Sequence, residues 1–270
     1  MTPARSERDD IPSGAAPAVV RATAVLDALA SSPRGLMSLS ELSREVGVAK
    51  SSLLQICAAL EAGGLVRRDE AGYALGRRTV ELGGAYLARL DQVQEFYDAC
   101  ARSALMANET LRLSALAGID TLCLARYEGH PPIRYTSGIG DRTPSSVSAQ
   151  GKALLAKLDD SEVRRMYHGI GELPRVTRHS RRTVAALVKD LGIVRSRGYA
   201  VDEQESALQV VGLAVTVPTR GLRAPMLAVS VTLLDTEATP ERRSAMIDEL
   251  RRLSLQLGNP MQPEMSASGL

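Results

Sequence analysis

Apolar residues recur every three to four positions through the first hundred residues of this chain and at every second position in several stretches beyond. Residues 18–30, AVVRATAVLDALA, place Ala22, Val25, Leu26 and Leu29 at i, i+3, i+4 and i+7, which predicts an amphipathic helix. SSPRGLM breaks it. A second helix starts at Ser38, where Ser38 and Glu41 have the S-x-x-E spacing of a capping box, and Gly47 stops it. A third runs from Lys50 to about Ala62, with Leu53, Ile56, Cys57 and Leu60 as its apolar stripe and Gly63–Gly64 as its end. LVRRDEAGYALG then reads as a hairpin turning at Gly72.

Residues 79–107 keep a helical pattern and predict a linker helix that runs into a second domain. From about residue 109 the period changes to two: Leu111, Leu113 and Ala115, a turn, then Leu122 and Leu124. SVSAQGKALLAKL starts a helix and TVAALVKDLGIVRSRG forms another. VGLAVTVPTRGLRAPMLAVSVTLL gives two apolar strands around a turn, and TPERRSAMIDELRRLSLQLG a last helix with Thr239 as cap and Pro240 in its first turn.

Three short helices followed by a hairpin form the pattern of a winged helix-turn-helix, whose second paired helix enters the DNA major groove. With Leu53, Ile56, Cys57 and Leu60 turned to the core, Lys50, Ser51, Ser52 and Gln55 lie on the opposite side or at the helix start. Lysine and hydroxyls can meet phosphates, and glutamine can bridge adenine N6 and N7. Taken alone, such a face is equally that of a solvated bundle helix. The capped helix before it and the hairpin with Arg67, Arg68, Arg77 and Arg78 favour DNA. Leu54, on the open side, either touches a thymine methyl or folds back onto the domain.

Composition narrows the rest. The 270 residues are 44% hydrophobic and 24% charged, enough for two ordinary globular domains. The net charge of +2 gives no strong global field, so a polyanionic partner must be met by a local surface. Between residues 19 and 80 there are eight Arg/Lys against six Asp/Glu, so the order of elements carries more than charge does. Cys57, Cys100 and Cys123 are an odd set without CxxC spacing, which fits a reducing cytosol and argues against a disulfide framework or a cysteine zinc site. The N-terminus lacks the apolar core of a signal peptide, and no run is long enough to span a bilayer.

Two further stretches hold candidate chemistry. In GIGDRTPSSVSAQGKALLAKL, Ser148 or a neighbour can cap a helix with Gly151 in its first turn. Its free N–H groups would suit an anion, with Lys152 pairing that anion or lying exposed. The plainer reading is an ordinary capped helix in which Gly151 allows close packing. In SRGYAVDEQESALQVVGLAVTVP, Asp202, Glu203 and Glu205 are either a charged surface loop or carboxylates for acid–base work. His130, His168 and His179 lie in loop-like contexts without metal-ligand spacing, and there is no phosphate-binding loop and no nucleophile elbow. No catalytic residue, metal or cofactor is expected. The alternative from another class is a small-molecule hydrolase or transferase using the carboxylates and His130, with an accessory N-terminal domain.

The segments RATAVLDALA, SLSELSREVGVAKSSLLQICAALEAGGLVRR, YALGRRTVELG, GDRTPSSVSAQGKALLA and SRGYAVDEQES together resemble the IclR family of bacterial transcriptional regulators, in order and over about residues 18–257. The resemblance implies an α+β chain: a winged helix-turn-helix that binds double-stranded operator DNA, a linker helix, and a C-terminal domain similar to GAF and PAS folds that holds a small effector, often a carboxylate. It also implies a cytoplasmic dimer or pair of dimers. The matching organisation is a flexible arm over 1–16, the winged helix over 17–78, the linker helix over 79–95, the effector domain over 96–258 and a disordered tail over 259–270. The family's pocket falls on Ala149, Gln150 and Gly151 at GKALLA, on Asp202, on Gly212, and on Ser230 and Thr232. This chain departs from the family at several places. It has Gln55 where arginine is common, Gly212 where cysteine is frequent, Gln150 where a small residue is usual, and Gln209 where glycine is usual.

Overall fold

The computed structural model describes residues 16–129, 138–220 and 224–258. The expected arm except Ala16, the expected tail and His130 lie outside the described residues. The chain divides between Arg89 and Leu90 into two compact units.

The first unit holds α1 (Pro17–Ala30), α2 (Leu39–Val46), α3 (Lys50–Ala62), β1 (Val66–Asp69), β2 (Gly72–Leu75) and α4 (Arg78–Leu87). The capping box is formed: the Glu41 N–H donates to Ser38 Oγ at 3.2 Å, and the Ser38 N–H to Glu41 Oε2 at 2.7 Å. Two orphan donors of α2 are thereby satisfied. Gly47 ends α2 at φ +69°, in the left-handed region where glycine avoids a Cβ clash. The chain can therefore turn at once into α3. Val25, Leu29, Leu42, Leu53, Cys57 and Val66 are at most 2% exposed and form one core with Tyr73 of the hairpin. Burying a side chain of this size contributes about 1.5–3 kcal/mol. β1 and β2 pair antiparallel from Val66↔Leu75 to Asp69↔Gly72. Asp69 Oδ1 accepts the N–H groups of Ala71 and Gly72 and so closes the turn.

α4 stops at Leu87 and α5 (Asp91–Arg102) starts anew, so the linker helix expected over 79–95 is not continuous. Leu90, at φ −108° and ψ 90°, is outside the helical region. Phe96 and Cys100, an i, i+4 pair, are fully buried in the second unit. Packing thus assigns α5 to the sheet rather than to the preceding helix.

The second unit adds β3 (Thr110–Ala117), β4 (Asp120–Glu128), β5 (Arg142–Pro144), α6 (Ala149–Leu155), α7 (Asp160–Met166), α8 (Val184–Arg197), β6 (Ala200–Glu203), β7 (Val210–Val217), β8 (Leu227–Leu234) and α9 (Pro240–Gly258). The six strands form one antiparallel sheet in the order β5-β4-β3-β8-β7-β6. Alternation divides the side chains between its faces. Val211, Leu213, Val229, Val231 and Leu111 share one face, which α5 and α9 cover. Ala200, Ala214 and Ala228 lie on the other, where α6 and α8 pack. On that second face the register aligns Thr110, Thr232, Gly212 and Asp202 in one row across β3, β8, β7 and β6. Arg112 is paired with Ser230 in the next row. β5, β6 and α7 have three, four and seven residues, too few for a periodic signal in the sequence.

Candidate functional site

The first candidate surface is α3. Leu53 and Cys57 are fully buried and Leu60 is nearly so, while Lys50, Ser51 and Gln55 are exposed and Ser52 is half-buried. Leu54 remains 44% exposed, so it does not fold back into the core. Ala58 and Ala59 continue the exposed side without bulk. Ala49 offers no side-chain cap to α3, unlike Ser38 before α2. On the hairpin, Arg67 is exposed and pairs with Asp69 at 2.9 Å. The Arg68 guanidinium lies 5.5 Å from the centre of the Tyr73 ring. Glycine is required at the wing turn: Gly72 has φ +143°, and a Cβ there would come within 2.5 Å of the Met37 carbonyl oxygen. That close approach lets Met37 and Tyr73 exchange backbone hydrogen bonds of 2.9 and 2.8 Å. The wing is thus tied to the segment leading into α2.

The second candidate is a small, narrow cleft on the α6 side of the sheet. Gly212 lies between Thr232 and Asp202 in the strand row and leaves its floor open. Arg112 and Thr232 line one end, with Arg112 Nη1 donating to Thr232 Oγ1 at 3.1 Å. Asp202 and Ser206 line the other, and Thr143, Ser148, Gln150 and Val210 complete it. A Cβ on Gly212 would sit 3.1 Å from Asp202 Cβ and 3.3 Å from Ala149 Cβ, tighter than ordinary contact.

Asp202 Oδ1 accepts the N–H groups of Glu205 (2.6 Å) and Ser206 (3.2 Å), and Oδ2 accepts the Ser206 hydroxyl. Burial pushes its carboxyl pKa up, while those hydrogen bonds and the charge of Lys152 pull it back. Beyond this turn lies a buried ion cluster. Lys152 Nζ is 2.9 Å from Asp190 Oδ2 and 2.6 Å from Glu205 Oε1, and Arg181 approaches the same two carboxylates at 3.4 and 3.7 Å. Burial raises the Glu205 pKa, against the charge of Lys152.

Two family models match. One, "Bacterial transcriptional regulator IclR C-terminal", covers residues 84–259, and the other, "IclR helix-turn-helix domain", covers 18–70. The chain belongs to the IclR family. Its curated relatives are transcriptional regulators: BhcR of Paracoccus denitrificans is 30% identical over 94% of this chain and 91% of its own length. Rv1719 of Mycobacterium tuberculosis is 32% identical over 84% and 85%. The Thermotoga maritima IclR structure is 25% identical with a TM-score of 0.65, covering 89% of this chain and 98% of that one. An IclR regulator from Alicyclobacillus acidocaldarius, 22% identical, shares the fold at a TM-score of 0.78 over 90% and 98% of the two chains.

Within this IclR chain, Gln150, Asp202, Gly212 and Thr232 of the expected effector residues meet in the cleft. Ala149, Gly151 and Ser230 are not among the lining residues. Ala149 packs beside Gly212. Gly151 faces the Ser145 backbone, where a Cβ would be 2.3 Å from Ser145 Cα, so it serves close packing. Ser230 is buried, and its Oγ has no hydrogen-bond partner. At the start of α6, Ser148 Oγ accepts the Gly151 N–H, the cap the sequence predicts. Lys152, read as exposed or anion-paired, is 1% exposed and locked between acids. Asp202 and Glu205 do not belong to a surface loop, since both are buried and engaged by neighbours; Glu203 is exposed, paired with Arg243. The sequence reading missed Arg112, although its place between Leu111 and Leu113 put it on the second face of a strand.

Among the described residues there is no cluster of metal-ligating side chains and no helix long and apolar enough to cross a membrane. Cys57, Cys100 and Cys123 are free and buried.

Proposed function

We propose that this chain binds double-stranded operator DNA as a dimer or pair of dimers in the cytoplasm, through α3 and the wing, and that a small organic acid in the cleft controls that binding. One observation carries the reading. α3 is fixed to its core by Leu53, Cys57 and Leu60, and this leaves Lys50, Ser51 and Gln55 exposed on the side a major groove would meet. Ser52, half-buried at the helix start, and the wing arginines Arg67 and Arg68 then hold phosphates. Self-association draws support from α4, which has no buried residue and exposes Val80 (76%), Leu82 (53%) and Tyr86 (50%). Apolar side chains at such exposure on one helix suit contact with a second copy.

The test is fluorescence anisotropy with DNA from upstream of the chain's own gene, across a salt series. Binding should weaken linearly in log–log form with salt. Arg67→Ala should weaken operator and random DNA alike and reduce the slope by about one phosphate contact. Short organic acids should change operator affinity and undergo no turnover. A salt-independent complex, or an acid consumed during the assay, would refute the reading.

A further inference from the structure

The densest positive charge of the chain lies outside both candidate surfaces. Between residues 163 and 189, from α7 into α8, there are seven Arg/Lys against one acid, Glu172. The winged helix, with eight against six, is much nearer balance. Glu172 is already paired with Arg182 at 2.9 Å, and Asp190, just past the stretch, is held by Lys152. α7 turns Val163 and Tyr167 into the core and leaves Arg164 and Arg165 exposed. The segment that follows is fixed from inside by its hydroxyls. Ser180 Oγ accepts the N–H groups of Val176 (3.1 Å) and Thr177 (2.9 Å) and donates to the Glu205 carbonyl at 2.8 Å. The Thr177 hydroxyl donates to the Gln204 carbonyl at 2.6 Å and accepts the His179 N–H at 3.1 Å. The Leu173 N–H closes the base on the Arg182 carbonyl at 3.0 Å. With the hydroxyls turned inward, Arg175 and Arg178 point outward and are exposed. No carboxylate among the described residues pairs with either, and Arg178 Nε donates only to His179 Nε2, at 3.1 Å. Arg181, by contrast, is engaged by Asp190 and Glu205.

We propose that the turn from α7 to α8 is a second DNA-contacting surface, blind to sequence, in which Arg175 and Arg178, with Arg164 and Arg165, hold backbone phosphates. Clustered like charges repel one another, and Arg175 and Arg178 return no ion pair to the fold, so an external polyanion is what offsets their crowding. Guanidinium forks take two phosphate oxygens in parallel, and a turn already ordered by its own hydrogen bonds loses little freedom on binding. An acidic protein fits less well. Protein interfaces centre on aromatic or aliphatic anchors, and residues 171–182 expose one large apolar side chain, Val176. DNA interfaces are polar and strongly basic. In this scheme α3 chooses the sequence and the turn adds affinity for any duplex. The two assignments rest on different residues, and either can fail alone.

Fluorescence anisotropy on the full chain tests this with operator and random duplex over a salt series. Arg175→Ser/Arg178→Ser leaves no acid unpaired, so the melting temperature should be unchanged. The log–log salt slope should fall by about two phosphate contacts, and affinity for both duplexes should fall by the same factor, at least about tenfold at 0.1 M salt. Arg164→Ser/Arg165→Ser, on a different element, should repeat the result. Arg102→Ser is the control for charge alone: Arg102 is exposed at the end of α5, which covers the opposite face of the sheet, and its slope should stay within about 0.3 of the parent. An unchanged slope in both double variants, or a fall no larger than that of Arg102→Ser, would overturn the proposal. So would polyglutamate that binds the parent as tightly as duplex at equal charge concentration and loses that affinity in Arg175→Ser/Arg178→Ser, which would mark a site for an acidic protein. A parent that binds all duplexes through the turn without preferring operator would refute the α3 reading and leave this surface standing; one that binds no duplex would refute both.

Discussion

Replacing Lys152 with methionine keeps most of the side-chain volume and removes the only lysine of the buried cluster. Asp190 and Glu205 then retain Arg181, which approaches at 3.4 and 3.7 Å from a side chain 37% exposed, instead of a fully buried ammonium at 2.9 and 2.6 Å. Breaking a buried pair from one side typically costs about 3–5 kcal/mol, because the remaining charge has no compensation. For a unit of this size each kcal/mol moves the midpoint by about 2–4 °C. The sheet unit should therefore melt roughly 6–20 °C lower in calorimetry, separately from the winged helix. The sign of the pH dependence follows from Glu205. Its folded pKa is raised above the ordinary 4.5 by burial. Its contribution is thus fully present below the unfolded pKa and is lost as pH rises through the folded one. Without Lys152 the folded pKa rises further, so the deficit of Lys152→Met should shrink as pH falls from 8 toward about 5. Lys152→Met/Glu205→Gln should recover part of the loss at pH 8. A deficit below about 1 kcal/mol, constant with pH, would show that the cluster does not hold the β6–β7 turn to α6 and α8.

Three further outcomes follow from the same geometry. Gln209 sits at φ +65° and contributes its backbone, not its side chain, to the turn, so Gln209→Gly should stabilise the sheet unit by about 1 kcal/mol in urea unfolding. Gly212→Cys should narrow the cleft and cost about 1–3 kcal/mol of stability, with acid binding weakened in calorimetry, since its Cβ would crowd Asp202 and Ala149. The Glu41 carboxyl is held at about 2 by the Ser38 N–H and hydroxyl. Its stabilisation is present above the unfolded value and lost as pH falls through about 2, so Glu41→Gln should flatten the acid limb of winged-helix unfolding.

The first unit was largely legible from sequence because its signals are local. Ser38 and Glu41 three residues apart, Gly47 at a left-handed turn, and an i, i+3, i+4, i+7 stripe in α3 each fix a short piece of chain, and the pieces agree. The sheet unit was legible where strands are long and apolar, as in β3, β7 and β8. It was not legible where neighbours across the sheet decide. Lys152 and Glu205 are 53 residues apart, and nothing local marks either as buried. Arg112 alternates with Leu111 and Leu113, and because helices cover both faces of this sheet the polar positions of β3 lie inside as well. The family comparison supplied part of the cleft, but only the strand register aligns Thr232, Gly212 and Asp202 and sets Arg112 beside them.

The exposed side of α3 is proposed to read DNA sequence. The most direct test is the affinity of Gln55→Ala for operator and for random duplex at one salt concentration. Gln55 is exposed on α3, away from the buried Leu53 and Cys57, so the fold should be unaffected. Gln55→Ala should lose about 1–3 kcal/mol on the operator, relax preference at one base pair, and change little on random DNA. An equal loss on both, or none on either, would contradict it.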